Sequence, residues 1–215
     1  MLLNLPNWVT VGRIAVTPAV ALLPFSQSAG MRLGGFVLFL VAAITDYVDG
    51  RLARSRNQQS SLGAMLDPLA DKLLLVGTFI PMYLLAGRFP FVTPFGDVGL
   101  PLWVVVVVLG REIFMTVFRQ LAARRGLVIA AIGPAKWKTG FQFTWQGAAY
   151  FWFFAMTLAT NRGWLEEPLW RAFAYFNGAV GVITMVAAVA LTLYSLWLYV
   201  TRYGYVFRQG GSVSR

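Results

Sequence analysis

Long apolar runs separated by short polar turns leave this chain few folds to choose from. A helix needs roughly 20 mostly apolar residues to cross the hydrocarbon core of a bilayer. Six stretches come near or exceed that length: 9–25, 31–54, 62–86, 102–123, 138–159 and 169–203. The last is long enough that it must tilt or project beyond the bilayer. The connections hold the turn residues, as in GRFPFVTPFGDVGLP and NRGWLEEP. Asn4 or Asn7 can cap the first helix, and Pro6 suits a helix start. Hydrophobic residues make up 58% and charged residues 12% of the 215, about half the ~25% charged share of soluble domains. A soluble chain of this size would have to cover a large surface with water-compatible groups, and this one lacks them. The expectation is an all-α membrane protein of six transmembrane helices, one domain over residues 1–215, with no internal repeat or linker. The opening residues lack the basic segment and cleavage site of a signal peptide.

Charge orients the helices. Arg51, Arg54 and Arg56 follow the second run, and Arg119, Arg124, Arg125, Lys136 and Lys138 surround the connection after the fourth. Arg202, Arg208 and Arg215 lie in or near the tail. The connections on the other side carry Arg32, Arg88 against Asp97, and Arg162 and Arg171 against Glu166 and Glu167. By the positive-inside rule, both termini are expected to face the cytoplasm; the expected location is the cell's inner (plasma) membrane, as a multi-pass protein. The net charge of +10 suits anionic headgroups and phosphate-bearing substrates rather than nucleic acid. With no Cys and no His, thiolate chemistry is excluded and the commonest general base is missing. Acid–base or metal chemistry falls to Asp, Glu, Lys, Tyr or water.

Against that background the stretch DYVDGRLARSRNQQSSLGAMLDPLADK is unusual. It holds Asp46, Asp49, Asp67 and Asp71, four of the chain's 8 acidic residues. Asp46, Asp49, Gly50 and Ala53 share one face of a helix, and Gly63, Asp67 and Asp71 share another. The polar residues between them suit a hairpin turn that would bring the two Asp pairs together. Four carboxylates at a membrane boundary repel one another, and a cation resolves the repulsion. Asp oxygens are hard ligands for Mg²⁺, Mn²⁺ or Ca²⁺, and two pairs could hold two ions, a layout suited to displacement at phosphorus. Gly50 and Gly63 allow close approach of a ligand, or simply of another helix. Arg54 can grip phosphate as a fork, while Arg51 and Arg56 read as interfacial anchors. Pro68 removes a helix hydrogen bond between two of the Asp residues.

The full pattern, D-x₂-D-G-x₂-A-R-x₈-G-x₃-D-x₃-D, resembles the signature of the CDP-alcohol phosphatidyltransferase family at every fixed position. That resemblance implies a six-helix membrane enzyme, often dimeric, that displaces CMP from a CDP-linked lipid such as CDP-diacylglycerol with an acceptor hydroxyl. It assigns Asp46, Asp49 and Asp67 to one divalent cation, Mg²⁺ or Mn²⁺, and Asp46, Asp67 and Asp71 to a second. Asp71 would also be the general base, and Gly50, Ala53, Arg54 and Gly63 would line the CMP and pyrophosphate site.

The order NLPNWVTVGRIAVTP, TDYVDG, LDPLADK, REIFMTVFR, AKWKTGFQ resembles the bacterial branch of the family whose acceptor is glycerol 3-phosphate. It implies an acceptor-phosphate pocket of Arg111, Arg119, Lys136 and Lys138. Arg111 and Arg119 share roughly one helix face. Two readings stand for these cations: a substrate phosphate pairs them, or Arg111 pairs with Glu112 or a carbonyl and the lysines snorkel to the interface. Where that branch reads Ser-x-x-Gly-Lys-x-Lys-Thr, this chain lacks the Ser, has Pro134 and Ala135, and keeps Lys136, Lys138 and Thr139. Other acceptors (inositol phosphate, serine or phosphatidylglycerol) remain open. So does a different class, a cation transporter using the Asp cluster, although it leaves the Arg/Lys set unexplained. Arg13 and Lys72 are further candidates, Arg13 for the substrate cavity and Lys72 as the immediate neighbour of Asp71.

Overall fold

The computed structural model describes residues 5–56, 61–127, 129 and 133–204, with side chains at all of these except 5–7, 46–56, 61–65, 67 and 134–136. Helix α1 spans Leu5–Leu22, and a single 3₁₀ turn at Leu23–Phe25 leads to α2, Ala29–Arg56. Helix α3 follows at Ser61–Leu85, then the strands β1, Phe91–Thr93, and β2, Gly96–Val98. Helices α4, Leu102–Arg124, α5, Gly133–Arg162, and α6, Pro168–Tyr203, complete the chain. Among the described residues, three segments are long and apolar enough to cross a membrane: Trp8–Phe25, Pro68–Leu85 and Pro168–Tyr203. At 36 residues, α6 is about 54 Å long, well beyond a ~30 Å hydrocarbon core.

The chain forms two compact units, Met1–Leu100 with Phe143–Val182, and Pro101–Gln142 with Ile183–Arg215. Helices α5 and α6 contribute to both. In the first unit, side-chain pairs fix the helix directions. Arg13 meets Asp71, and Thr17 lies against Gly77, so α1 and α3 run parallel. Gln146 Nε2 donates to Thr78 Oγ1, and Phe153 meets Phe89 just past α3, so α5 is parallel to them. Helix α2 runs the other way: Arg32 reaches Thr157, Phe36 meets Phe151, and Phe39 stacks on Tyr150. The C-terminal half of α2 and the start of α3 therefore lie toward the same end of the unit. At the core, the Tyr150 hydroxyl donates to Val20 O at 3.1 Å, joining α5 to α1. A buried hydroxyl without such a partner would cost free energy.

The strands form an antiparallel hairpin with Phe91 opposite Val98. This short β element departs from a purely helical chain. Its turn is stabilised by the Thr93 hydroxyl, which donates to Gly96 O at 2.6 Å and accepts from Phe95 N–H at 3.2 Å. Gly96 has φ +122°, a conformation that favours glycine. The hairpin rests on α6 where two glycines leave room. A Cβ at Gly178 would overlap the backbone of Val92, and one at Gly181 would meet the Phe91 ring. Trp152 Nε1 donates to Pro90 O at 2.9 Å and fixes the approach to β1.

In the second unit α4 ends in a Schellman motif. Gly126, at φ +73°, donates to Ala123 O, and Leu127 donates to Ala122 O. Leu127 then packs on the buried cluster of Met115, Phe118, Ala122 and Tyr199. Helix α5 begins at Gly133, five residues ahead of the expected 138. Pro134 falls in its first turn, where the missing N–H has no intrahelical acceptor to lose.

Candidate active site

The signature positions divide between two consecutive helices. Asp46, Asp49, Gly50, Ala53 and Arg54 lie on the last turns of α2, while Gly63, Asp67 and Asp71 lie on the first turns of α3. The connection at 57–60 and the side chains of Asp46, Asp49, Gly50, Ala53, Arg54, Gly63 and Asp67 lie outside the described residues. Helix α3 is continuous through Pro68. Among the described residues no three carboxylates gather, as three of the four Asp side chains are not among them.

Asp71 is described, and its side chain is 55% exposed. Its Oδ1 accepts from Arg13 Nη1 at 2.7 Å, and the Arg13 side chain is only 2% exposed. Local sequence produces this pair. Thr17 bonds back to Arg13 O at 2.8 Å, and its methyl lies where Gly77 lets α1 and α3 approach closely. A buried guanidinium is costly without a partner, and Asp71 supplies one while keeping much of its carboxylate accessible. The donor set suits a hard divalent cation: the four acidic residues of the signature are all carboxylates, and the described one, Asp71, is open to solvent.

The second unit gathers another set of charges. Arg111 and Lys138 are buried, and both donate to Glu112 Oε1, Arg111 from Nη1 at 2.8 Å. Arg111 Nη2 donates to Ser195 Oγ at 3.3 Å, and Ser195 donates onward to Thr192 O. Arg111 Nε is buried without an acceptor among the described residues. Arg119 is exposed, with Nη2 3.5 Å from the Tyr199 hydroxyl. The cluster therefore unites Arg111 with Lys138 and keeps a surplus positive charge, since one carboxylate faces two cations.

Sequence offered two readings of these cations. Lys138 does not snorkel: it is buried and ion-paired. Arg111 does pair with Glu112, yet that pairing is shared with Lys138 and leaves Nε open. The side chain of Lys136 lies outside the described residues. The roles of Ser195 and Tyr199 were not anticipated. Their signal was modest: Thr192, Ser195 and Tyr199 recur at helical spacing on one face of a largely apolar helix.

The comparisons with known proteins agree with the signature. The CDP-alcohol phosphatidyltransferase family matches residues 3–194, and the chain belongs to that family, a class of phospholipid-synthesising transferases. It is 36% identical to the CDP-diacylglycerol–glycerol-3-phosphate 3-phosphatidyltransferase of Bacillus subtilis, over 63% of this chain and 70% of the relative. It is 37% identical to the chloroplastic/mitochondrial CDP-diacylglycerol–glycerol-3-phosphate 3-phosphatidyltransferase 1 of Arabidopsis thaliana, over 66% of this chain and 49% of the relative. A CMP-forming cardiolipin synthase of Oryza sativa is 33% identical over 66% of this chain and 44% of its own length.

Proposed function

We propose that this chain transfers the phosphatidyl group of CDP-diacylglycerol to glycerol 3-phosphate, giving phosphatidylglycerophosphate and CMP. The observation that carries this reading is the buried pairing of Arg111 and Lys138 around a single carboxylate, in a chain whose family signature occupies α2 and α3. The names of the Bacillus and Arabidopsis relatives support the same acceptor. The Oryza relative supports a second reading, in which phosphatidylglycerol is the acceptor and the rest is unchanged. The cation-transporter alternative has no support from the family.

In this reading Asp46, Asp49, Asp67 and Asp71 hold two Mg²⁺ or Mn²⁺ ions, which would neutralise the pyrophosphate and polarise the lipid-side phosphorus. Gly50, Ala53 and Gly63 leave room for the CMP moiety, and Arg54 binds its phosphates as a fork. Arg111, Arg119, Lys136 and Lys138 bind the acceptor phosphate. The Asp71 carboxylate takes the proton from the acceptor hydroxyl as its oxygen bonds to the lipid-side phosphorus, and CMP departs with the electrons of the broken P–O bond. Arg13 positions that carboxylate. Six membrane crossings, cytoplasmic termini, a plasma-membrane location with the active site at the cytoplasmic surface, a single working domain and a homodimer complete the proposal.

The test is CMP release from CDP-diacylglycerol by the purified protein with Mg²⁺ or Mn²⁺, with and without glycerol 3-phosphate. Release that depends on glycerol 3-phosphate is expected. Release only with phosphatidylglycerol would favour the second reading and remove the acceptor-phosphate role of the basic cluster. No release with any acceptor, from folded metal-supplied protein, would sink both.

A further inference from the structure

Arg32 lies at the other end of the first unit, where α2 begins and α5 finishes. It is 2% exposed. Its Nε donates to Pro24 O at 3.0 Å, and Nη1 donates to Phe153 O at 3.3 Å and to Thr157 Oγ1. Its guanidinium carbon is 4.3 Å from the centroid of the Phe89 ring. Those contacts account for Nε and Nη1, whereas Nη2 has no acceptor among the described residues. The Arg88 guanidinium is 5.6 Å from the same ring, so two cations lie close to one aromatic side chain. No described Asp or Glu forms an ion pair with either. Beside them lies a cavity of about 270 Å³ to which Gln27, Thr160 and Asn161 contribute neutral hydrogen-bonding groups.

A structural clip joining the turn after α1 to α5 would explain Nε and Nη1 of Arg32. It would not explain the remaining nitrogen, the second guanidinium brought to the same ring, or the polar cavity. A buried cation without a counter-charge is unfavourable unless an anion completes it. The planar guanidinium fork can engage two oxygens of a phosphate at once, and amides and hydroxyls can satisfy oxygens beyond its reach. The volume exceeds what one ordered water needs.

We propose that this cavity binds a phosphate oxyanion, the Nη2 of Arg32 and the guanidinium of Arg88 being its charged donors. The group could come from a phospholipid headgroup or from free phosphate. The site is at the end of the first unit opposite the signature helices, and it does not depend on the acceptor assignment.

The experiment uses the full chain in a neutral detergent and two probes, inorganic phosphate and a short-chain phosphatidylglycerol below its micellar concentration. Binding is read as the rise in apparent melting temperature at fixed ionic strength. Other basic groups of the chain take up the same probes, so the quantity compared is wild type against Arg88→Gln, an exposed position. Half-saturation is expected to move to a roughly tenfold higher concentration in the variant, as for loss of a charge-assisted hydrogen bond. A difference with both probes assigns a site open to either source, with the lipid alone a headgroup site, and with the inorganic ion alone a free-phosphate site. A second variant, Asn161→Asp, puts a carboxylate beside the two cations and should suppress the same binding. It decides the matter if Arg88→Gln is itself less stable. Unchanged half-saturation in both variants with both probes would overturn the proposal.

Discussion

The buried Arg13 guanidinium of α1 donates to the exposed Asp71 carboxylate of α3 across 2.7 Å. One partner is sealed between helices and the other opens outward, so the pair fixes a carboxylate in position without covering it. Replacing Arg13 with Ala should lower CMP release by roughly 10- to 100-fold, the usual effect of removing a group that orients a metal ligand. The Mn²⁺ concentration for half-maximal activity should rise with it, and Arg13→Lys should recover part of both. An Ala variant with the wild-type metal dependence would show that the pair has only a packing role.

Asp71→Asn keeps the shape of the side chain and removes its charge. CMP release should fall by about 10²–10⁴-fold, the range for loss of a general base, while the protein still elutes as a single folded species. Activity within a factor of a few of wild type would exclude Asp71 as both base and ligand.

Glu112 is the common partner of Arg111 and Lys138. Glu112→Gln leaves two buried cations to repel each other, at a cost approaching about 3 kcal/mol, less than for a fully buried pair because Glu112 is 27% exposed. The apparent melting temperature should drop by several degrees, and glycerol 3-phosphate should restore more of it than glycerol does. Equal effects of the two compounds would argue against a phosphate pocket at this cluster.

Gly178 and Gly181 seat the hairpin on α6. Gly181→Ala needs the Phe91 ring to move, and Gly178→Ala needs the Val92 backbone to move. Overpacking costs typically about 1–3 kcal/mol, and the backbone clash should be the worse of the two. Thermal melts of both variants check the order. Indifference at Gly178 would mean that the hairpin does not rest there.

The helices were legible because burial in an apolar solvent demands long uninterrupted runs: α3 and α4 begin and end within one residue of their expected limits. Helix α5 was harder to delimit, since Pro134 reads as a breaker until it falls in a first turn. The hairpin was not legible at all. Its strands are three residues each, and they rely on glycines some eighty residues further along the chain. Helical spacing in the Asp signature did place its positions on two consecutive helices, α2 and α3. Arg13 could be flagged as a charge inside an apolar run, but its partner depended on α1 and α3 running parallel. Lys138 gave no hint of burial, because an interfacial and an ion-paired Lys look alike in sequence.

Glu112 also sets the terms on which any anion can settle beside Arg111 and Lys138. Its carboxylate already fills part of the electrostatic role that an incoming phosphate would play, so arrival there is an exchange rather than the filling of an empty well. A dianion can outbid one carboxylate for two cations, whereas an uncharged alcohol has nothing to offer in trade. Discrimination between charged and neutral acceptors would then arise from an internal competitor and need no steric gate.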